Sequence, residues 1–293
     1  MFKKIVAAAL AAVVLGFAPQ QSEAAQFQQI RNATAKLHYG GKTFLIDPWL
    51  APKGATGSYV TMYPDIHIPD RAKESIRMPM CDLPMPAEKI LQGVDTYLLT
   101  HLHFDHFDLD QYNKVLDRKT PIYVQNEEEL SYMQKQGFKK AGLLKDEGMN
   151  WGTVKVTRID GLHGTIKACG PSSGLLFEAE GEPTIYFAGD TVWYEGVKET
   201  LAKYKPEVIV LNAADAQLDE FGHLIMDDAG VQAVYEACPK AKIVISHMDN
   251  IAHAYLTRTT MHQKLAKRGI DDKVLIPDDG QVYDFVTEKG ARK

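Results

Sequence analysis

The chain is poor in the features that hold small or membrane-bound proteins together. Among its 293 residues there are three cysteines, Cys81, Cys169 and Cys238, widely spaced. An odd number excludes complete internal pairing. One disulfide with a free thiol, or three thiols, both remain open. There is no low-complexity linker and no short-period repeat. There is no basic excess either: the formal net charge is −5, which argues against nucleic acid as a partner.

The one sustained apolar run lies at the start. Lys3 and Lys4 precede Ile5 to Phe17, and Ser22-Glu23-Ala24-Ala25 offers small residues for cleavage. Residues 1–25 therefore read as a secretory signal peptide, too short for a permanent span. No cysteine follows the run, so no lipid anchor is indicated. Loss of Lys3, Lys4 and Glu23 takes the net charge from −5 to −6. The expected compartment is the periplasm or the exterior of a bacterium, with no stable membrane anchor. Residues 26–293 suffice for one large domain or two small ones.

Against that background, Thr100-His101-Leu102-His103-Phe104-Asp105-His106 stands out. It follows Val94 to Leu99, which reads as a buried strand, and precedes Leu109 to Arg118, which reads as a helix. Strand ends are where α/β folds keep their sites. Imidazole nitrogens and carboxylate oxygens suit Zn²⁺. In an extended loop, residues two apart point the same way, so His101 and His103 can share one ion. Asp105 and His106 need a bend between them and suit a second.

Other histidines and aspartates also fall at strand ends. Asp47 closes the hairpin of Ala35 to Tyr39 and Lys42 to Ile46. It reads equally as a group behind the metal ligands or as a turn former before Pro48. His163 lies between glycines after Thr153 to Ile159. Asp190, in Gly189-Asp190-Thr191, follows Thr184 to Ala188. His247 follows Lys242 to Ile245, and His253 comes six residues later. The span from Pro48 to Pro86 holds seven of the 14 prolines and reads as a lid or pocket wall. Within it, Trp49 and Tyr63 are substrate-side candidates. His223, in the loop 212–227, is a third.

His-x-His-x-Asp-His after a strand resembles the metallo-β-lactamase superfamily. The other markers follow in order over nearly the whole chain beyond residue 25. The resemblance implies an α/β fold, a four-layer αββα sandwich over residues 26–293 with metals at one edge. It implies two divalent ions, zinc first, with manganese or iron as alternatives. His101, His103 and His163 would hold one ion, and Asp105, His106 and His247 the other. Asp190 would bridge them and act in catalysis with a shared hydroxide. The position of His253, before the helix Thr257 to Arg268, suits a catalytic histidine on the substrate side, a group behind the ligands or a surface loop histidine.

Phe107-Asp108 replaces the Gly-Gly common in β-lactamases, glyoxalase II and quorum lactonases, and Asp190 departs from the Cys or Ser of most β-lactamases. The sequence looks nearest the branch of ascorbate-6-phosphate lactonase and N-acyl phosphatidylethanolamine phospholipase D. The implied function is hydrolysis of a small molecule, a lactone or phosphodiester. A periplasmic β-lactamase and a non-catalytic metal-binding protein are the alternatives.

Overall fold

A computed structural model describes residues 24–109 and 111–287, so the proposed signal peptide lies outside the described residues apart from Ala24 and Ala25. Strands β1 (Ala25–Arg31), β2 (Thr34–Tyr39) and β3 (Lys42–Ile46) form an antiparallel meander. Then come the helix α1 (Tyr59–Met62), the helix α2 (Ala87–Leu91) and β4 (Thr96–Leu98). Next are β5 (Ile122–Val124), α3 (Glu127–Lys135) and β6 (Ala141–Leu143). β3 to β6 run parallel to one another.

A second sheet begins with β7 (Met149–Trp151), β8 (Val154–Asp160), β9 (Ser173–Glu178) and β10 (Ile185–Phe187). It continues through α4 (Glu195–Tyr204) and β11 (Val208–Asn212). A small hairpin, β12 (Gln217–Leu218) and β13 (Gly222–His223), precedes α5 (Asp228–Ala237). Then follow β14 (Lys242–Ser246), α6 (Arg258–Arg268), β15 (Val274–Leu275) and β16 (Val282–Phe285). The sheet orders are β16-β1-β2-β3-β4-β5-β6 and β15-β14-β11-β10-β9-β8-β7.

Side-chain alternation makes the layers. Side chains two apart share a face of a strand. In β11, Val208 and Val210 enter the core between the sheets, with Phe44, Phe177 and Val244. Their neighbours Ile209 and Leu211 turn outward onto Val197, Val231 and Met261 of α4, α5 and α6. On the first sheet, Phe44 and Ile46 point inward, and Leu45 points out to Ile90 of α2 and Met133 of α3. Strands buried on both faces read as continuous apolar runs. The result is the expected αββα order.

Helix ends follow local chemistry. The Asn126 side chain accepts from Glu129 N, and that of Asp227 from Gly230 N. Thr257 and Thr260 make a capping box on α6, and Gly269 closes it in the left-handed region.

Two expectations change. In place of the helix expected from Leu109 to Arg118, the described residues form a short 3₁₀ segment, Gln111–Val115. Side chains take its backbone bonds: Asn113 Nδ2 donates to Asp108 O, and Arg118 Nη1 donates to Asn113 O and Leu116 O. The span from Lys139 to Trp151, which reads as turns, contributes β6 and β7. These are the outermost strands of their sheets, half-exposed and only three residues long.

Candidate metal centre

Five strand ends converge at one edge of the sandwich. Asp47 follows β3, Thr100 to His106 follow β4, and His163 follows β8. Asp190 follows β10, and His247 follows β14. The tight Gly189 turn lets Asp190 reach this point. Gly189 has φ 66, and a Cβ there would stand 2.3 Å from Ser173 O, so only glycine fits.

Seven side chains form three overlapping donor groups: His101–His103–His163, His101–His106–Asp190 and Asp105–His106–His247. His101 Nε2 lies 2.9 Å from His103 Nδ1, which lies 3.3 Å from His163 Nε2. His247 Nε2 lies 3.1 Å from His106 Nε2 and 3.3 Å from Asp105 Oδ2. Asp190 stands between the sets: Oδ2 is 3.3 Å from His106 Nε2 and 3.9 Å from His101 Nε2, and Oδ1 is 3.6 Å from His247 Nε2. Ligands about 2.0–2.1 Å from a tetrahedral ion stand about 3.3 Å apart. The donor set therefore fits divalent metal by identity and by spacing.

Surrounding groups aim the rings. His163 Nδ1 donates to Leu224 O at 3.0 Å, which leaves Nε2 to face the centre. His106 Nδ1 donates to Asp47 Oδ2 at 2.8 Å. Asp47 also accepts from Thr100 N at 2.8 Å and Thr100 Oγ1 at 2.7 Å. It is buried at φ 47, so of the two sequence readings the placement behind His106 describes its contacts. Asn212 Nδ2 donates to Asp190 Oδ1 at 2.7 Å. Such partners fix ring orientation and basicity at metal sites.

Electrostatics keeps most donors available. Burial holds His101 well below its usual range and brings His103 down to about 4, with neighbouring imidazoles adding to both. Burial likewise lowers His163. Neutral rings carry the lone pair that a cation needs. His106 goes the other way: burial opposes its charge, but Asp190 and Asp47 outweigh burial and raise it. Asp105 and Asp190 stay ionised against burial because His247 and His106 face them.

Beside the donors stands an aromatic wall. Phe104 lies 6.1 Å from Tyr59 and 5.9 Å from Tyr63 between ring centroids. His253 meets Tyr59 edge-on at 5.3 Å. It is buried, its Nδ1 has no partner, and burial brings it down to about 4. Trp49 is not on the open side of this wall. It is wholly buried behind Phe104, its Nε1 donates to Thr56 Oγ1, and Arg31 lies over its ring. His223 is exposed on β13 and pairs with Asp215 at 2.6 Å. Its neighbour Leu224 touches the centre through a carbonyl, and the His223 ring lies outside the three donor groups.

The Pro48 to Pro86 segment is anchored at its base. Leu50 N and Ala51 N donate to Asp108, and Arg31 donates to the carbonyls of Trp49, Ala51 and Cys81. Phe107 packs in the core under the first sheet. The Phe107-Asp108 pair thus tethers this segment. A cleft of about 450 Å³, lined by Leu102, Asn126, Glu129, Tyr132 and Pro171, opens beside His103.

Three groups at the centre escape a reading of the sequence. Thr100 and Asn212 meet Asp47 and Asp190 only through the fold, although Thr100 adjoins the histidine motif. Gly170-Pro171-Ser172-Ser173-Gly174 spells G-x-S-x-G. It leads into a strand instead of a helix, and Ser173 Oγ donates to Thr100 O at 2.8 Å. Ser173 thus braces the metal loop, while Ser172, at the motif's serine position, is buried with its Oγ unpartnered and lacks the strand–turn–helix setting of an elbow. All three cysteines are free thiols.

The family described as beta-lactamase superfamily domain matches residues 42–248. The UPF0173 protein YddR of Bacillus subtilis (strain 168) is 36% identical over 261 residues, covering 88% of this chain and 98% of that protein. The crystal structure of an isothiocyanate hydrolase from Delia radicum gut bacteria is 37% identical, with a TM-score of 0.81 over 89% of this chain and 100% of that one. That of a possible metal-dependent hydrolase from Veillonella parvula DSM 2008 is 32% identical, with a TM-score of 0.82 over the same shares.

Proposed function

This chain belongs to the metallo-β-lactamase superfamily and, within it, to the UPF0173 metal-dependent hydrolases, and on that premise we propose that it hydrolyses a small uncharged electrophile at a centre of two divalent ions. The observation that carries this reading is the position of Asp190, whose two oxygens face both donor sets. His101, His103 and His163 would hold one ion, and Asp105, His106 and His247 the other. Zinc suits these donors best, with manganese and iron as alternatives. Two such ions, when bound, supply hydroxide at neutral pH and polarise the substrate.

The chain's own residues do the rest. Asp47 and Thr100 hold His106 in one tautomer. Tyr59, Tyr63 and Phe104 exclude water from one side and take the substrate's apolar arm. His253 packs on Tyr59 and Phe104 and is the candidate for the substrate-side histidine.

For the substrate we propose an isothiocyanate. The likeness to the isothiocyanate hydrolase, at 37% identity over its full length, supports this choice. The short histidine motif and Gly-Asp-Thr, shared in look with the lactonase and phospholipase D branch, support a lactone as the second reading. A charged phosphodiester suits the site less: among the described residues, no Arg or Lys makes a polar contact to the seven donors.

The test is a panel of isothiocyanates with aliphatic and phenyl arms, lactones, phosphodiesters and β-lactams, assayed with zinc- and manganese-loaded protein. The expected result is turnover of isothiocyanates well above the rest. Cleavage of phosphodiesters alone would refute the substrate class.

We also propose export to the periplasm or beyond after cleavage near Ala25. Among the described residues no helix is long and apolar enough to cross a membrane. Intact-mass analysis of exported material should find a chain starting near Ala25 or Gln26. A periplasmic form that keeps residues 1–24 would count against export by cleavage.

A further inference from the structure

The turn between β1 and β2 reaches the metal centre from the far end of the chain. Asn32, at that turn, is wholly buried and has φ 53, in the left-handed region. Asparagine tolerates that region better than most residues, but only as a single residue held in place. Three donors hold its carbonyl: His247 N at 3.1 Å, Ser246 Oγ at 2.7 Å and Gln29 Nε2 at 2.7 Å. Its side chain turns the other way. Nδ2 donates to Asp105 O at 3.1 Å and lies 3.2 Å from His247 Nε2. Oδ1 is buried without a partner.

One residue outside the donor set thus holds the main chain of two of the three donors Asp105, His106 and His247: Asp105 through its carbonyl and His247 through its N–H. His247 itself has φ 69, a strained backbone that persists only when its surroundings hold it. The bond from His247 N to Asn32 O is one such hold. The amide bond to Asp105 O fixes the bend that turns the Asp105 carboxylate toward His247.

We propose that Asn32 is the positioning residue for the ion held by Asp105, His106 and His247. This half of the centre then depends on the N-terminal hairpin, and the half built by His101, His103 and His163 does not. The inference rests on the two-ion reading above.

The test uses the full mature chain and zinc alone, titrated against a chromophoric chelator. Asn32→Gly keeps the left-handed backbone at no steric cost and removes only the carboxamide. The expected result is a second zinc equivalent weakened by about 10–100-fold, the scale seen when a partner of a metal ligand is lost. The first equivalent and the circular dichroism of ion-free protein should stay at wild-type values.

Asn32→Asp keeps size and left-handed tolerance but sets an acceptor against Asp105 O. It should also shift the second equivalent alone. Wild-type affinity for both equivalents in the two variants overturns the proposal. So does equal weakening of both equivalents, or failure of both variants to fold, since each makes Asn32 merely structural. Wild-type protein that binds a single ion would instead refute the two-ion reading.

Discussion

Replacing Asp190 with asparagine removes the charge shared by both donor sets and keeps the volume. The amide oxygen would keep the bond from Asn212 Nδ2, now 2.7 Å from Asp190 Oδ1. Its NH₂ would then face His106 Nε2, now 3.3 Å from Oδ2, where a cation needs a lone pair. Two unit charges about 4 Å apart at an effective dielectric of about 20 interact by about 4 kcal/mol. Losing an interaction of that order should raise the zinc dissociation constants by about 10²–10³-fold. Turnover should fall by about 10²–10⁴-fold, because the donors are no longer held by a common anion.

Zinc titration, metal analysis after dialysis and hydrolysis of the best substrate read these effects separately. Thermal melting adds a fourth measure: a 100-fold rise in dissociation constant removes up to about 2.7 kcal/mol of zinc-linked stability. Circular dichroism should be unchanged. Asp190→Asn protein with two tightly held ions and wild-type hydrolysis would refute the shared role of Asp190.

His103→Ala should lose one zinc equivalent and leave His106 and His247 able to hold the other, and His247→Ala should lose the opposite one; both variants losing the same equivalent by competition titration would contradict the assignment. Tyr63→Ala should raise KM about 10-fold, from roughly 1.5 kcal/mol of lost apolar contact, with metal content unchanged; loss of metal would make the wall a support for the centre instead. Burial works against the charge of Asp228, but Lys264 and Arg268 outweigh it and hold its carboxyl below the usual range. A depressed folded-state pKa gives stability that is complete above the usual carboxylate value and is lost as pH falls through the depressed one. Asp228→Asn should flatten that acid limb by at most about 1 kcal/mol, given partly exposed partners, and an unchanged acid melting profile would show the pairs to be inert.

Much of the site is legible along the chain because its donors sit at strand ends. A strand end is a local event: an apolar run stops, and a histidine or aspartate follows. His101, His103, Asp105 and His106 declare themselves by spacing. His163, Asp190 and His247 declare themselves by place and by resemblance, and the structure brings all seven together. The four layers come from the resemblance, and the structure agrees: Val208-Ile209-Val210-Leu211 is buried on both faces.

The edge strands β6 and β7 were not legible, because three residues are too few to show a period. The 3₁₀ turn at Gln111–Val115 was not legible either, because side-chain bonds from Asn113 and Arg118 displaced a helix that local pattern favours.

What only the tertiary structure decides is which groups stand behind the donors. Asp47 reads equally as a turn former until sheet pairing sets β3 beside β4 and places its carboxylate 2.8 Å from His106. Trp49 and His223 look alike as substrate-side candidates until packing buries one behind Phe104 and leaves the other exposed. Asn32 is separated from His247 by 215 positions, and no local pattern links them. Composition and periodicity determine which residues leave water and which faces they share. Register between distant strands determines which polar groups meet there, and register is a property of the whole assembled sheet.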